Sequence, residues 1–507
     1  MPTAKTPQTR AEVTSYKETS LHAHVMAFLG ELAARNDPRF HLSSFGTSPG
    51  GRDMPLCVLS AHGIRTPEAS RARNLPVVLI INGIHAGEVE GKEASMILMR
   101  DLLDGLDEGL LGELTLVVVP LFNPDGNDAV DPANRRLDLP KLHGQIGPER
   151  VGTRVNASGI NLNRDYLRQA APEMRLLHSR VVQVWQPELT IDCHATNGSV
   201  HRYDMTYDVP HTAGTGREEP IAYMRTTMMP AVTAAVAKNH GVTAGWYGNF
   251  VEDERSLDAG RDADPKTPVT EGWMTYTHHP RFGSNYRGLT GRLDLLLECY
   301  SYLPFENRVH TTYACLIEAL RHTASERAEI AQLVLACRAP RGRMAIRYRL
   351  DAFDEVIEVP TRTPRTPDGA PSSVTVRYFG KFVGTNIIER PPAYLVDATL
   401  AAHLEHHGLA VEAAPDELEA EVATVAEIAS EGGRKILESA KVGDVRVEWK
   451  RGTRKAPPGS KLVRTDQPLA AIAVYLCEPE SDDGAVENGL VSAPAVGAEF
   501  PIWRAWP

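Results

Sequence analysis

In Ile84-His-Ala-Gly-Glu-Val-Glu-Gly91, His85 and Glu88 lie in a loop directly after an apolar run. An imidazole and a carboxylate at H-x-x-E spacing can grip one zinc ion from a loop that leads into a helix. A catalytic zinc takes three protein ligands and keeps one position open. Asp192-Cys-His194 supplies a third candidate in His194, followed by the loop-forming Ala-Thr-Asn-Gly198. On a strand, residues two apart share a face, so Asp192 can hold the His194 imidazole from behind. The motif alone is weak, because a chain with 18 histidines yields such a match by chance roughly once. The plain alternative has His85 capping a strand, Glu88 at a solvated helix start with Glu90 and Glu93, and Asp192 as a solubilising strand residue.

The elements that must carry these residues can be read from apolar patterning. Pro76-Val-Val-Leu-Ile-Ile-Asn82 and Leu114-Thr-Leu-Val-Val-Val-Pro120 are continuous apolar runs, as expected of strands buried on both faces. Strands are also expected at Leu56–Leu59, Leu189–Cys193 and Leu293–Leu297, and helices over 17–35, 94–103, 220–240 and 308–337. Phe122-Asn-Pro-Asp-Gly126 reads as a turn closing the second run. Strand, helix, strand order predicts an α/β fold: a mixed, mostly parallel sheet flanked by helices. His194 then falls at the carboxyl end of a strand, where α/β sheets bind ligands. After Pro340 the texture becomes alternating, as in Ser373–Tyr378 and Val445–Trp449, with one short helix near 397–407. The expected division is a catalytic domain over 1–339 and a smaller β-rich domain over 340–507.

Composition narrows the function classes. A net charge of −11 disfavours non-specific binding to nucleic acid or anionic membranes. No apolar run approaches membrane-spanning length, and the first ten residues lack the apolar region of a secretory signal. Six cysteines at 57, 193, 299, 315, 337 and 477 form no CxxC pair, which predicts reduced thiols and a cytoplasmic protein.

Further along stand Asn123-Pro-Asp-Gly126, Arg154-Val-Asn156, Leu162-Asn-Arg164 and Leu295-Leu-Leu-Glu298. With the His85/Glu88 and His194 segments, their order resembles the zinc metallocarboxypeptidases, the carboxypeptidase A-like family. The resemblance covers about the first 335 residues. Pro280–Arg292 looks like a branch of that family whose members also carry a β-rich C-terminal region. The resemblance implies zinc held by His85, Glu88 and His194, with Glu298 as general base. It implies that Arg154 polarises the scissile carbonyl, and that Asn163 and Arg164 clamp the substrate's terminal carboxylate. Tyr286, or else Tyr276, matches the family's mobile phenol. Two positions depart from the pattern: Asn161 stands where many members have Asp, and Asp165 where many have Asn.

The expected activity is removal of C-terminal residues from peptides. The alternatives are hydrolysis of acyl-amino acids, as in the related desuccinylase and aspartoacylase group, or an inactive binding protein of the same fold. Retention of Glu298 disfavours the last, since a binder needs no proton-accepting carboxylate. The acidic stretch 252–264 and the arginines 281, 287 and 292 could set side-chain preference, with solvated surface the ordinary expectation for both. Oligomeric state is left open by the sequence.

Overall fold

The structure is a computed structural model that describes residues 6–253, 269–429, 444–492 and 494–507. Most of the acidic stretch 252–264 lies outside the described residues.

The strands in chain order are β1 (Phe40–Thr47), β2 (Asp53–Leu59), β3 (Val77–Asn82), β4 (Thr115–Val119), β5 (Leu189–Thr196), β6 (Met205–Asp208), β7 (Ala244–Trp246), β8 (Asn249–Phe250), β9 (Trp273–Met274) and β10 (Leu293–Tyr300). They continue as β11 (Arg343–Thr363), β12 (Ala370–Glu389), β13 (Ala393–Val396), β14 (Glu412–Ala413), β15 (Glu417–Ala429), β16 (Asp444–Lys455), β17 (Lys461–Arg464) and β18 (Trp503–Trp506). Eight of them form the main sheet in the order β1-β2-β4-β3-β5-β10-β6-β7. Its centre, β4-β3-β5-β10, is parallel; β1, β2 and β6 bring antiparallel pairings. The fold is thus the expected mixed α/β sheet between helices.

The central strands form where β-branched and aliphatic residues run without interruption. Every residue of β3, β4 and β5 is buried. Each fully buried aliphatic side chain contributes about 1.5–3 kcal/mol, so these strands have no alternative exposed register. Helices Glu90–Leu103 and Phe305–Ser325 pack on one face of the sheet. The other face meets residues 162–185 and the later segments 394–409 and 471–502.

Several local expectations are corrected. The 17–35 helix begins only at His22, because Ser20 N–H and the Thr19 hydroxyl turn back to the Glu93 carboxylate. Glu90 and Glu93 are buried rather than solvated, and Glu90 lies 3.3 Å from Arg308. Residues 122–126 do not form a simple turn: Pro124 opens a short helix to Asp128, capped by Asn123 Oδ1 on Gly126 N–H at 2.9 Å. The 220–240 helix is divided by a wide π-type turn over Met224–Met228.

Beyond residue 340, β11 and β12 form a long antiparallel hairpin that adds to β9 through Tyr378 and Phe379. A second group is ordered β14-β17-β13-β18-β15-β16. No helix among the described residues is long and apolar enough to cross a membrane.

Candidate metal centre and cleft

The carboxyl ends of β3, β5 and β10 meet at one cleft. Gly83, at φ +70, turns the chain sharply off β3 into the loop carrying His85 and Glu88. Gly91 lets the following helix press against β5: a Cβ there would lie 2.6 Å from Cys193 Cβ. His194 stands near the end of β5, and the parallel register sets Glu298 of β10 beside it.

His85 Nδ1 lies 3.2 Å from Glu88 Oε2, His194 Nδ1 lies 3.0 Å from the same oxygen, and the two Nδ1 atoms are 3.1 Å apart. All three residues are buried. An oxygen stands behind each opposite ring nitrogen. His85 Nε2 donates to Asn161 Oδ1 at 3.2 Å, and His194 Nε2 faces Asp192 Oδ1 at 3.1 Å. Two imidazole nitrogens and a carboxylate oxygen thus converge, the donor types and the number that a catalytic zinc takes from the protein. Ligands about 2.0–2.1 Å from a tetrahedral zinc stand about 3.3 Å apart, close to what is seen. The donor set therefore fits zinc. Asn161 does for His85 what the expected Asp would do, with a neutral acceptor in place of a charged one.

Burial and charge act unequally on these residues. Burial pushes His85 down to about 3, with Arg154 adding to the effect and Glu88 opposing it. Burial also disfavours the His194 cation, but Asp192 and Glu88 override it and hold His194 up at about 10. Burial works against an ionised Glu88 too, yet His85 and Arg135 keep it well below the usual carboxylate range. Glu298 is raised, chiefly by burial, while His194 and Arg154 pull it back.

Arg135 was not singled out in the sequence. Its Nη1 donates to Glu88 Oε1 at 2.9 Å, its Nε to Gln145 Oε1 at 2.6 Å and its Nη2 to Ser301 Oγ at 3.0 Å. Arg154 Nη1 reaches the same Glu88 oxygen at 3.3 Å and His85 Nδ1 at 3.0 Å. Two guanidiniums thus occupy Oε1, while Oε2 meets the imidazoles and accepts Ala195 N–H at 3.2 Å. Arg135 sits in a loop of irregular backbone, without a pattern that sequence reading could use.

The cleft encloses about 750 Å³. Its lining includes His85, Glu88, Arg135, Arg154, Asn163, Arg164, Tyr276, Phe282, Ser284 and Glu298. His85, Glu88, the candidate base and both clamp residues therefore share one space, and His194 adjoins it through Glu88. Tyr286 does not: it is buried behind the cleft, its hydroxyl 2.7 Å from His407 Nδ1 and its ring against Tyr166 and His178. The expectation that Tyr286 meets substrate is corrected on this geometry, and Tyr276 takes its place in the lining. The three arginines expected at the surface are otherwise engaged. Arg281 and Arg287 are buried against Asp483 and against Asp192 with Asp294, and Arg292 donates to the Pro187 carbonyl.

A second group, His278, His279 and Asp482, brings ligand-type atoms within 4.8 Å of one another. There His278 Nε2 is joined to Asp482 Oδ2 at 2.8 Å and the two imidazoles stack. These contacts make it a hydrogen-bonded strut.

Residues 25–186 match the family model described as zinc carboxypeptidase. The chain carries a zinc carboxypeptidase domain and is by class a metallocarboxypeptidase enzyme. Among curated proteins it is similar to Carboxypeptidase 2 of Trichophyton rubrum, 23% identical over 506 residues, covering 94% of this chain and 85% of that one. Among solved structures it is similar to a metallo-carboxypeptidase of Burkholderia cenocepacia (20% identity, 60% of this chain and 69% of that one, TM-score 0.38). Another is the metallo-carboxypeptidase of Pseudomonas aeruginosa (18% identity, 60% and 68%, TM-score 0.39).

Proposed function

We propose that this chain is a zinc-dependent carboxypeptidase that hydrolyses the last amide bond of peptides, and that it works in the cytoplasm. The observation that carries the reading is the convergence of His85, Glu88 and His194, with Glu298 in register beside His194, at a cleft that Glu298 lines together with Asn163 and Arg164. Six buried, unbridged cysteines support the reducing compartment.

Zinc at these ligands would act as a Lewis acid and bring the pKa of water close to neutral. Glu298 accepts the proton of the attacking water and delivers it to the departing amine, the role of a positioned general base. Arg154, at the rim, offers a fixed cation to the carbonyl oxygen as negative charge grows there. Arg164 presents a planar fork suited to a carboxylate. Asn163 Oδ1 is taken by Gly283 N–H at 2.9 Å, so its amide N–H₂ is the group left for a ligand, again a donor.

The test compares kcat/KM for one peptide as its free acid and its C-terminal amide, alongside an acyl-amino acid. Losing a charge-assisted bidentate contact costs on the order of 2–4 kcal/mol. The free acid should therefore lead the amide by roughly thirtyfold to a thousandfold. Equal rates on acid and amide would sink the exopeptidase reading, and faster turnover of the acyl-amino acid would transfer the assignment to an amidohydrolase.

A further inference from the structure

The clamp residues are held by a segment that is itself held from far along the chain. Residues 275–284 form one wall of the cleft through Thr275, Tyr276, Thr277, Phe282 and Ser284. The Phe282 ring lies 3.6 Å from the centre of the Arg164 guanidinium, a cation–π shelf beneath it. Gly283 N–H fixes Asn163 Oδ1, and the Arg281 carbonyl accepts from Tyr166 N–H at 3.4 Å. Both clamp residues therefore take their positions from residues 281–283.

Residues 278–283 in turn rest on two aspartates some two hundred positions later, His278 on Asp482 and Arg281 on Asp483. Asp483 Oδ2 accepts Arg281 N–H at 2.9 Å, and Oδ1 accepts Arg281 Nε at 2.8 Å and also its Nη2. Asn488 Nδ2 donates to Asp483 Oδ1 at 3.2 Å and so keeps that carboxylate turned toward Arg281. Asp482 Oδ2 pairs with His278 Nε2 at 2.8 Å and accepts Tyr348 N–H at 3.1 Å, while Tyr475 holds its other oxygen. All four paired side chains are buried. A buried ion pair adds little net stability, because desolvation offsets most of the attraction. What the pair supplies is orientation: a forked contact plus a backbone contact at one residue leaves residue 281 no freedom to rotate.

We infer that Asp482 and Asp483 are positioning residues for the substrate-carboxylate clamp, so that the region after residue 340 sets how tightly the free acid end of a substrate is held. This rests on the reading of Arg164 as the clamp. Neither aspartate touches substrate; both act through Arg281, His278 and Phe282.

The experiment uses the full zinc-loaded chain and measures kcat and KM separately on the acid and amide forms of one peptide, with zinc content and thermal midpoint recorded for every variant. Asp483→Asn keeps the side chain's shape and removes its charge. A displacement of about 1 Å in a positioning group can cost up to a hundredfold, so KM for the free acid should rise about tenfold or more. Values of kcat, zinc content and KM for the amide should stay within about threefold of the parent, and the acid-over-amide preference should shrink. Asp483→Glu, which restores the carboxylate, should recover part of the loss. Should Asp483→Asn not fold, Arg281→Lys retains the positive charge without the fork and should give the same split. An unchanged KM for the acid in Arg281→Lys and Asp483→Asn overturns the inference. So does an equal loss on acid and amide with a falling thermal midpoint, which would mark a purely structural pair. If the parent itself shows no preference for the acid, the clamp reading fails first, and that outcome is visible before any variant is made.

Discussion

Glu298 and His194 sit side by side on adjacent parallel strands, and this pairing places a proton acceptor next to the ligand set. Glu298→Gln keeps the shape and the hydrogen bonding but cannot take a proton. Turnover should fall about a hundredfold to ten-thousandfold, with zinc retained one per chain by elemental analysis. Near-parental kcat in the variant would assign the base to another group. Arg135 makes a second prediction at this scale. It holds Glu88 Oε1 from behind the ligand atoms and is itself fixed by Gln145 and Ser301. Partners that orient a ligand typically contribute tenfold to a hundredfold in metal affinity. Arg135→Ala should therefore weaken zinc binding by about that factor in a chelator competition titration, and unchanged affinity would make the contact incidental.

At the scale of elements, the site depends on how closely the helix Glu90–Leu103 approaches β5. Gly91 faces Cys193 Cβ and Asn82 Oδ1, and a Cβ there would meet them at 2.6 and 2.8 Å. Neither neighbour is the loose end of a flexible chain, since Asn82 donates to Ser95 and to the Val119 carbonyl. Gly91→Ala should destabilise by about 1–3 kcal/mol, the usual effect of forcing extra volume into a packed interior. Because Cys193 adjoins His194, zinc affinity should fall with it. Equilibrium unfolding and metal titration of the same protein check both, and a variant as stable as the parent would show that the helix can move away freely. The short helix Pro124–Asp128 works alongside: Asn123 caps it and also donates to the Val155 carbonyl, joining it to the stretch that carries Arg154.

For the molecule as a whole, one apolar cluster joins the sheet to the later segments. Leu79 and Ile81 of β3, Tyr166 and Leu177 share it with Tyr394, Leu404, Val463, Ile472 and Tyr475. A chain ending at residue 339 would leave that face bare and open the Arg281–Asp483 pair. It should be recovered as aggregate, whereas co-expression with residues 340–507 should restore some soluble protein. Recovery of a monomeric, zinc-binding 1–339 fragment would show that the later segments are dispensable for folding. Metal should matter at the same scale. A ligand present at a hundred times its dissociation constant stabilises the folded state by about 2.7 kcal/mol. Chelation should therefore lower the thermal midpoint, and zinc should restore it; a midpoint indifferent to both would argue against a bound metal at His85, Glu88 and His194.

The sequence by itself determined the central strands and the order of the motifs. A short, β-branched apolar run such as Val77–Ile81 reads as a strand buried on both faces, and the types and spacings of His85, Glu88, His194 and Glu298 suit them to metal and proton chemistry. Local alternation also marked Ser373–Tyr378 within β12 and Val445–Trp449 within β16, although neither the length of these strands nor their partners. What the tertiary structure decided is which side chains face one another across long separations. Tyr276 lines the cleft and Tyr286 does not, because the helix Gly283–Gly288 turns Tyr286 inward onto His407. Arg287 reads as a surface cation but is buried between Asp192 and Asp294. Arg135 bears no motif and acquires its place from Glu88, Gln145 and Ser301. The dependence of the clamp on Asp483 spans two hundred residues. Each of these turns on desolvation and on partners distant in the chain, and a charge's partner, unlike an apolar period, leaves no local trace in the sequence.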